Sequence, residues 1–243
     1  MNMIQMLGAV TLLYFITLAL IVFNNRKINT KIGNFIFIVI DVVCYGFWIY
    51  GLFTRRGELT ISMLMGQISP LTCLLLPLSC IMSPKIKDYA YSAIAFLNFG
   101  LFVAMFISPE HAYLFSFSTE ASLHHTAEAL CHMICSLFGI YLVLTEQVKA
   151  DFLHWIKSMV FLYSIITVGV GINYVFHESL FGMNPYGDYS IYMIDIFESF
   201  EATAMAYYVG VLLVLTLGMQ ACHLFKTVAD KIHAPEEKEN TAK

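Results

Sequence analysis

Seven long apolar segments follow one another along this chain, with short polar stretches between them. A helix needs about 20 mostly apolar residues to cross roughly 30 Å of hydrocarbon, and its backbone groups must be satisfied within the segment. The pattern therefore predicts an all-α polytopic membrane bundle with seven transmembrane helices. The predicted spans cover residues 3–23, 32–53, 61–82, 89–108, 121–145, 158–176 and 203–224.

The basic residues are concentrated in alternate connections between these spans. The first, third and fifth connections and the C-terminal segment hold all but two of the 13 Lys and Arg residues, and the exceptions are Arg55 and Arg56. Cytoplasmic loops carry the excess of Lys and Arg, so the N-terminus is expected outside and the C-terminus in the cytoplasm. No basic residue precedes the first apolar run, which is therefore expected to remain as a span and not to be a cleaved signal peptide.

The composition excludes an ordinary soluble domain, because 59% of the residues are hydrophobic and only 12% are charged. We predict one transmembrane domain over residues 1–225 and a polar, disordered cytoplasmic tail over residues 226–243. The protein is expected in the cell membrane as a multi-pass protein, with membrane lipid as its partner. The sequence has no stripe of basic residues of the kind that binds nucleic acid. Whether the protein forms a homo-oligomer or is part of a larger membrane complex stays open.

Several polar side chains lie inside the predicted spans, where they are costly and usually face the interior of the bundle. Span five carries His124, Glu128 and His132 at intervals of four residues, which places all three on one helix face. The other candidates lie midway along spans two, three and four and at the end of span six: Asp41, Cys73, Asn98, Asn173 and Tyr174.

Depth in the membrane suggests a pairing of Cys73 with His132. At 1.5 Å per residue, His132 lies about 16 Å from the outer end of its span and Cys73 about 18 Å from the outer end of span three. A thiol and an imidazole at one depth can meet across the bundle, with Glu128 holding the imidazole one turn away. A thiolate nucleophile needs this arrangement, in which a base takes its proton and a third group orients the base.

The residues leave other interpretations open. His124, Glu128 and His132 have a spacing that can hold a metal ion, although no metal or cofactor is expected. The polar side chains can instead form a hydrogen-bond network that joins the helices, or line a pathway in which Asp41 or Glu128 carries a proton. A retinal protein needs a Lys in the last span, and span seven has none. No cysteine pair has the Cys-x-x-Cys spacing of a redox motif.

Short motifs over most of the chain resemble one known family. The stretch Ser-Pro-Leu-Thr-Cys at 69–73 resembles the proline–leucine stretch ending in Cys of the YwaF-like family of bacterial integral membrane proteins, which is related to eukaryotic transmembrane phospholipid acyltransferases. Ser-Pro-Glu at 108–110 is similar to that family's Thr-Pro-Asp, His132 to its His-containing helix, and Asn-Tyr-Val-Phe at 173–176 to its Asn-Tyr-Met-Phe. The family's usual His before the Cys and its Lys-Pro after the Asn-Tyr motif are absent here.

The resemblance implies a lipid acyltransferase in which Cys73 carries the acyl group as a thioester and His132 is its base. Cys80, in the similar string Pro-Leu-Ser-Cys at 77–80, is a second candidate thiol. Asn98 or Asn173 would donate to the developing oxyanion. The residues expected around the substrate are Asp41, Asn98, Asn173 and Tyr174. The alternative function is a membrane protein that binds or transports a small molecule or an ion at a polar site midway across the bilayer.

Overall fold

The computed structural model describes residues 3–57, 64, 68–107, 123–178, 180–183 and 200–241. This part of the chain is 88% helical and contains no strand, as the sequence predicts. Seven α-helices are present in it: α1 (Met3–Asn24), α2 (Thr30–Arg56), α3 (Ile68–Leu78), α4 (Pro84–Ile107), α5 (Leu123–Leu144), α6 (Phe152–Phe176) and α7 (Phe200–Thr241). A single 3-10 turn, Leu180–Gly182, follows α6.

Five of these helices are long and apolar enough to cross a membrane: Gln5–Asn24, Thr30–Thr54, Thr126–Leu144, Phe152–Phe176 and Phe200–Ala234. The all-helical fold predicted from the apolar segments is therefore confirmed, and five candidate spans are compatible with a multi-pass membrane protein. Each of the seven predicted spans overlaps one helix, but the total of seven crossings and their orientation stay predictions.

The helix α5 is the centre of the bundle. It packs against α1, α2, α3, α4 and α7, and 94% of its most apolar window is buried, against 22–33% for the other four candidate spans. Those outer helices expose large apolar side chains, among them Leu12, Phe35, Val168 and Met205. Helix faces with many exposed apolar side chains are expected where lipid surrounds a protein.

Glycines let α5 and α7 approach α4 closely. A Cβ added at Gly139 on α5 would lie 2.8 Å from the carbonyl oxygen of Ala95, and one added at Gly218 on α7 would overlap the backbone of Phe96. Small residues at helix contacts allow such close backbone packing in membrane bundles. The helix α4 is therefore held between α5 and α7 at residues 95–96.

Polar contacts join the connections at one end of the bundle. Lys157 pairs with Asp88 at 2.6 Å, and Lys226 pairs with Glu146 at 2.9 Å. The hydrogen bond from Lys226, together with its positive charge, lowers the pKa of the exposed Glu146. These ion pairs bring together the connections that carry most of the basic residues. That this end of the bundle faces the cytoplasm stays a prediction.

The last helix is longer than the sequence analysis predicts. It continues past residue 226, where the disordered tail is predicted to begin, and reaches Thr241. Ala229 and His233 in this extension are buried, and the His233 ring lies 3.2 Å from the carbonyl oxygen of Val22 on α1. Such contacts with α1 hold the start of the extension against the bundle. The polar composition of this segment does not reveal these contacts.

Candidate functional site

The antiparallel helices α2 and α5 face each other through two matching stripes of side chains. Spacings of three and four residues put each stripe on one side of its helix. On α2 the stripe consists of Asp41, Cys44, Trp48 and Gly51. On α5 it consists of His124, Glu128, Cys131 and Cys135. We refer to the contact between these stripes as the α2–α5 seam.

One end of the seam is organised around His124. Gly51 leaves room for it, since a Cβ there would lie 2.6 Å from the Cβ of His124. The His124 Nδ1 atom lies 3.3 Å from the carbonyl oxygen of Trp48, and its Nε2 atom lies 3.8 Å from Glu128 Oε2. All of these groups are buried, so the pair is shielded from solvent within the bundle.

The other part of the seam holds a cluster of thiols and one carboxyl group. Cys135 Sγ donates to Asp41 Oδ1 at 3.5 Å, and Cys73 Sγ of α3 lies 3.6 Å from Cys135 Sγ. Cys131 packs against the same thiols. Asp41, Cys73 and Cys135 each have no exposed surface. We call Asp41, Cys73, Cys131 and Cys135 the thiol–carboxyl cluster; three different helices contribute to it.

Pro77 shapes the short helix that carries Cys73. It lies four residues after Cys73, and proline has no N–H, so the Cys73 carbonyl lacks its usual helical donor. The helix ends one residue later at Leu78, where Ser79 N–H bonds back to Leu75 and Leu76. The proline therefore removes one hydrogen bond from the helical turn that follows the thiol, and α3 ends one residue after it.

His132 lies beside the cluster but does not bond the Cys73 thiol in the described structure. Its ring meets Trp48 edge-on, with ring centroids 5.7 Å apart, and Trp48 packs in the same group as Cys73. Cys131 and Cys135 pack with Cys73. At about 100° per residue, their side chains are rotated around α5 from that of His132 by about 100° and 60°. The meeting of the Cys73 thiol with the His132 imidazole that depth predicts is not among the contacts found for the described residues. Glu128, expected to hold His132, pairs with His124.

Asn173 has a different role from the one predicted. Its Nδ2 donates to the carbonyl oxygens of Leu180, at 2.9 Å, and Met183, while its Oδ1 accepts from Leu180 N–H at 2.7 Å. Both of its N–H donors are used, so none is left for an oxyanion. The buried Asn173 ties the 3-10 turn to the end of α6, and the prediction that it binds substrate is not supported by its contacts.

We expect Asn173→Leu to lower the free energy of unfolding by about 1–3 kcal/mol, because backbone groups of Leu180 and Met183 would lose a buried partner. Thermal unfolding of the purified protein in detergent measures the loss. Ser164→Ala, on an exposed position of the same helix, should change the stability by less than about 0.5 kcal/mol. Equal effects of the two substitutions would contradict the assigned role.

The contacts found for the remaining predicted residues do not involve Cys73. Asn98 is buried and bonds the Ile94 carbonyl of its own helix at 3.0 Å. Tyr174 is 42% exposed and packs edge-on against Phe200. Cys80 is exposed in the turn after α3. Of the four residues expected around the substrate, only Asp41 is brought to Cys73, and the buried position in the cluster belongs to Cys73 and not to Cys80.

The sequence reasoning did not assign a role to Cys131, Cys135, Cys44 or Trp48. A signal was present, since Cys131 and Cys135 are one turn apart in span five and Cys44 and Trp48 follow Asp41 at helical spacing. This spacing indicates a shared site only when α2 and α5 are known to be neighbours. Among the described residues, no group with ligand geometry forms from His124, Glu128 and His132, the alternative metal cluster; the one group found is Asp41, Cys73 and Cys135.

The fold and the site define the class: an integral membrane protein built as a helical bundle, with a thiol–carboxyl cluster in its interior. Comparisons with protein-family models, with curated proteins and with solved structures find no match to this chain. The similarity to the YwaF-like family therefore depends on the sequence motifs alone.

Proposed function

We propose that this protein is a membrane enzyme that transfers an acyl group from a membrane lipid through a thioester on Cys73. One observation carries the proposal: the Cys73 thiol is buried inside a bundle of apolar helices, next to the carboxyl group of Asp41. Nucleophilic thiols work with a neighbouring group that takes their proton. The sequence motifs that end in Cys73 support the same assignment.

The reaction has two steps that balance. In the first, Cys73 gives up its proton and its sulfur attacks the ester carbonyl carbon of a lipid; the C–O bond breaks, and the leaving alcohol takes a proton. In the second, an amine or hydroxyl acceptor attacks the thioester, the C–S bond breaks, and the thiol regains its proton. Dividing one hard step into two easier steps is the usual gain of covalent catalysis.

Two groups are candidates for the proton transfer. The ligand atoms of Asp41, Cys73 and Cys135 all lie within 4.8 Å of one another, which makes the Asp41 carboxyl group the first acceptor within reach of the Cys73 thiol. His132, whose ring contacts Trp48 edge-on beside the cluster, is the second. Catalytic hydrogen bonds often tighten only when substrate binds, so both residues belong in the test.

The test is to trap the acyl-enzyme. Protein in nanodiscs is incubated with a phospholipid whose acyl chain carries an alkyne, and hydroxylamine-sensitive label is located by mass spectrometry. We expect label on Cys73, none in Cys73→Ala, and normal label in Cys222→Ala, whose buried thiol lies elsewhere and bonds the Ala95 carbonyl. Label that survives Cys73→Ala, or wild-type protein that takes up no label, would refute the assignment.

The same assay assigns the proton acceptor. Loss of a general base typically slows a reaction by about 10²–10⁴-fold. We expect this loss for Asp41→Asn if the carboxyl group acts directly, and for His132→Gln if the imidazole does. A thioester that forms at the wild-type rate in both variants would show that neither residue takes the proton.

A second function is favoured by the α2–α5 seam, which extends from the His124–Glu128 pair to Asp41 along one helix contact. Polar groups in such a row are typical of a pathway for an ion or a small polar solute. Uptake into proteoliposomes distinguishes this function from acyl transfer. Uptake that is lost in Glu128→Gln, without any label on Cys73, would favour transport.

A further inference from the structure

Three ligand groups from three different helices meet inside the bundle. Asp41 comes from α2, Cys73 from α3 and Cys135 from α5, and their ligand atoms lie within 4.8 Å of one another. We infer that these residues form a tetrahedral binding site for a thiophilic divalent metal ion of the Zn²⁺ class. Site formation does not depend on acyl transfer; only the inhibition described below rests on the proposed function.

The spacing of the ligand atoms matches the edges of a coordination tetrahedron. With Zn–S bonds of about 2.3 Å and Zn–O bonds of about 2.0 Å, tetrahedral geometry separates two sulfurs by about 3.8 Å and a sulfur and an oxygen by about 3.5 Å. The observed distances are 3.6 Å between the sulfurs of Cys73 and Cys135 and 3.5 Å from Cys135 Sγ to Asp41 Oδ1. A linear two-sulfur complex would need about 4.6 Å by the same bond length.

The carboxyl group of Asp41 provides a second, independent observation. Its Oδ1 accepts a hydrogen bond from Cys135, while its Oδ2 is buried without a hydrogen-bond partner in the described structure. Buried polar atoms are almost always paired, and an unpaired one calls for a physical reason such as a bound ion. A cation among the three side chains would supply that partner. Cys131 packs against the same thiols but is not one of the three groups whose ligand atoms lie within 4.8 Å of one another, so it would become a fourth ligand only by turning its side chain toward the ion.

Charge and ligand type select the ion. Thiols favour soft or borderline ions such as Zn²⁺ and Cd²⁺ over Mg²⁺ and Ca²⁺, which prefer oxygen. A divalent ion that displaces one proton from each of two thiols forms two metal–sulfur bonds and releases two protons, so the ion and the two thiolates together carry no net charge. Metal binding therefore leaves the total charge of the site as it was, and the Asp41 carboxyl group keeps the charge that it had without the ion. This balance matters because the site lies between helices that are candidate membrane spans, where an uncompensated charge is costly.

Metal binding would occupy the sulfur that the proposed reaction needs. A metal-bound Cys73 cannot attack an ester until the ion leaves, so Zn²⁺ should inhibit acyl transfer at concentrations that fill the site. His132 and the His124–Glu128 pair are not needed as ligands, and their replacement should leave the metal affinity largely unchanged.

The direct test uses Co²⁺ as a probe, because tetrahedral Co²⁺ with sulfur ligands has characteristic visible and near-ultraviolet bands. We expect purified protein in detergent to take up one Co²⁺ per chain, with these bands, and to lose them when Zn²⁺ is added. Cys73→Ser, Cys135→Ser and Asp41→Asn should each weaken Co²⁺ binding by at least about tenfold, since even second-shell changes cost 10–100-fold. Cys222→Ser and His132→Gln are the controls and should bind normally.

Wild-type protein also gives a readout that needs no substitution. X-ray absorption at the Zn edge should show two or three sulfur neighbours at about 2.3 Å. Absence of the tetrahedral bands in wild-type protein, binding that survives both cysteine substitutions, or a spectrum without sulfur neighbours would overturn the inference. Metal binding without any thioester on Cys73 would refute only the proposed enzyme function, and a thioester without metal binding only the metal site.

Discussion

Replacing Cys73 by alanine is expected to reduce lipid acyl transfer to the background rate, a loss of at least about 10³-fold. The reason is that, in the proposed reaction, this sulfur is the atom that carries the acyl group. Alanine should fill most of the space with little strain, because the site is surrounded by the side chains of Cys131, Cys135 and Trp48. The measurement is the initial rate of acyl transfer in nanodiscs.

Cys80 gives the matched control for this substitution. It lies seven residues after Cys73 in a similar local sequence, but it is exposed in the turn after α3. Cys80→Ala should therefore keep the wild-type rate. A normal rate in Cys73→Ala, or a loss of activity in Cys80→Ala alone, would show that the nucleophile has been assigned to the wrong residue.

Gly218→Ala is expected to destabilise the bundle by about 3 kcal/mol or more, which is at the upper end of the usual cost of overpacking. A Cβ at this position would overlap the backbone of Phe96 on α4, and a backbone atom cannot rotate away as a side chain can. The helices α4 and α7 would have to move apart along their contact. Unfolding in detergent measures the stability, and the yield of folded protein from membranes gives a second reading.

Gly210→Ala on the same helix is the control, because no atom lies within 4 Å of a Cβ added there. Alanine is favoured over glycine in helices by up to about 1 kcal/mol, so this variant should be as stable as the wild type or slightly more stable. If both glycine substitutions had the same effect, the close contact between α4 and α7 would not be the cause.

The helical bundle was predictable from the sequence because lipid imposes a simple requirement on each span. Apolar runs of about 20 residues leave few alternatives to a helix, and each run overlaps one of the observed helices. The length of α7 was not predictable in the same way. Its extension beyond residue 226 is polar in composition, and the burial of Ala229 and His233 depends on contacts with other helices.

The candidate site was predictable only in part. Cys73 and Asp41 were singled out as unusual residues within apolar spans, and both lie in the cluster. Matching depths along two helices then paired Cys73 with His132, but depth does not specify which way a side chain points around its helix. Around the helix axis, Cys131 is rotated from His132 by about 100° and Cys135 by about 60°, and these angles decide which side chain meets the thiol. Which of them faces the thiol follows from helix packing, which a single sequence does not reveal.

The central position of α5 has a consequence for how the protein is made. Four of its five neighbours, α1 to α4, precede it in the chain, so they are already synthesised when α5 emerges from the ribosome. A segment that contains His124, Glu128 and His132 enters lipid at a cost, and this cost is offset when it inserts against helices that are already in place. Biogenesis should therefore be sensitive to the order in which the helices are made, and a chain fragment that begins with α5 should insert poorly when α1 to α4 are not already in the membrane.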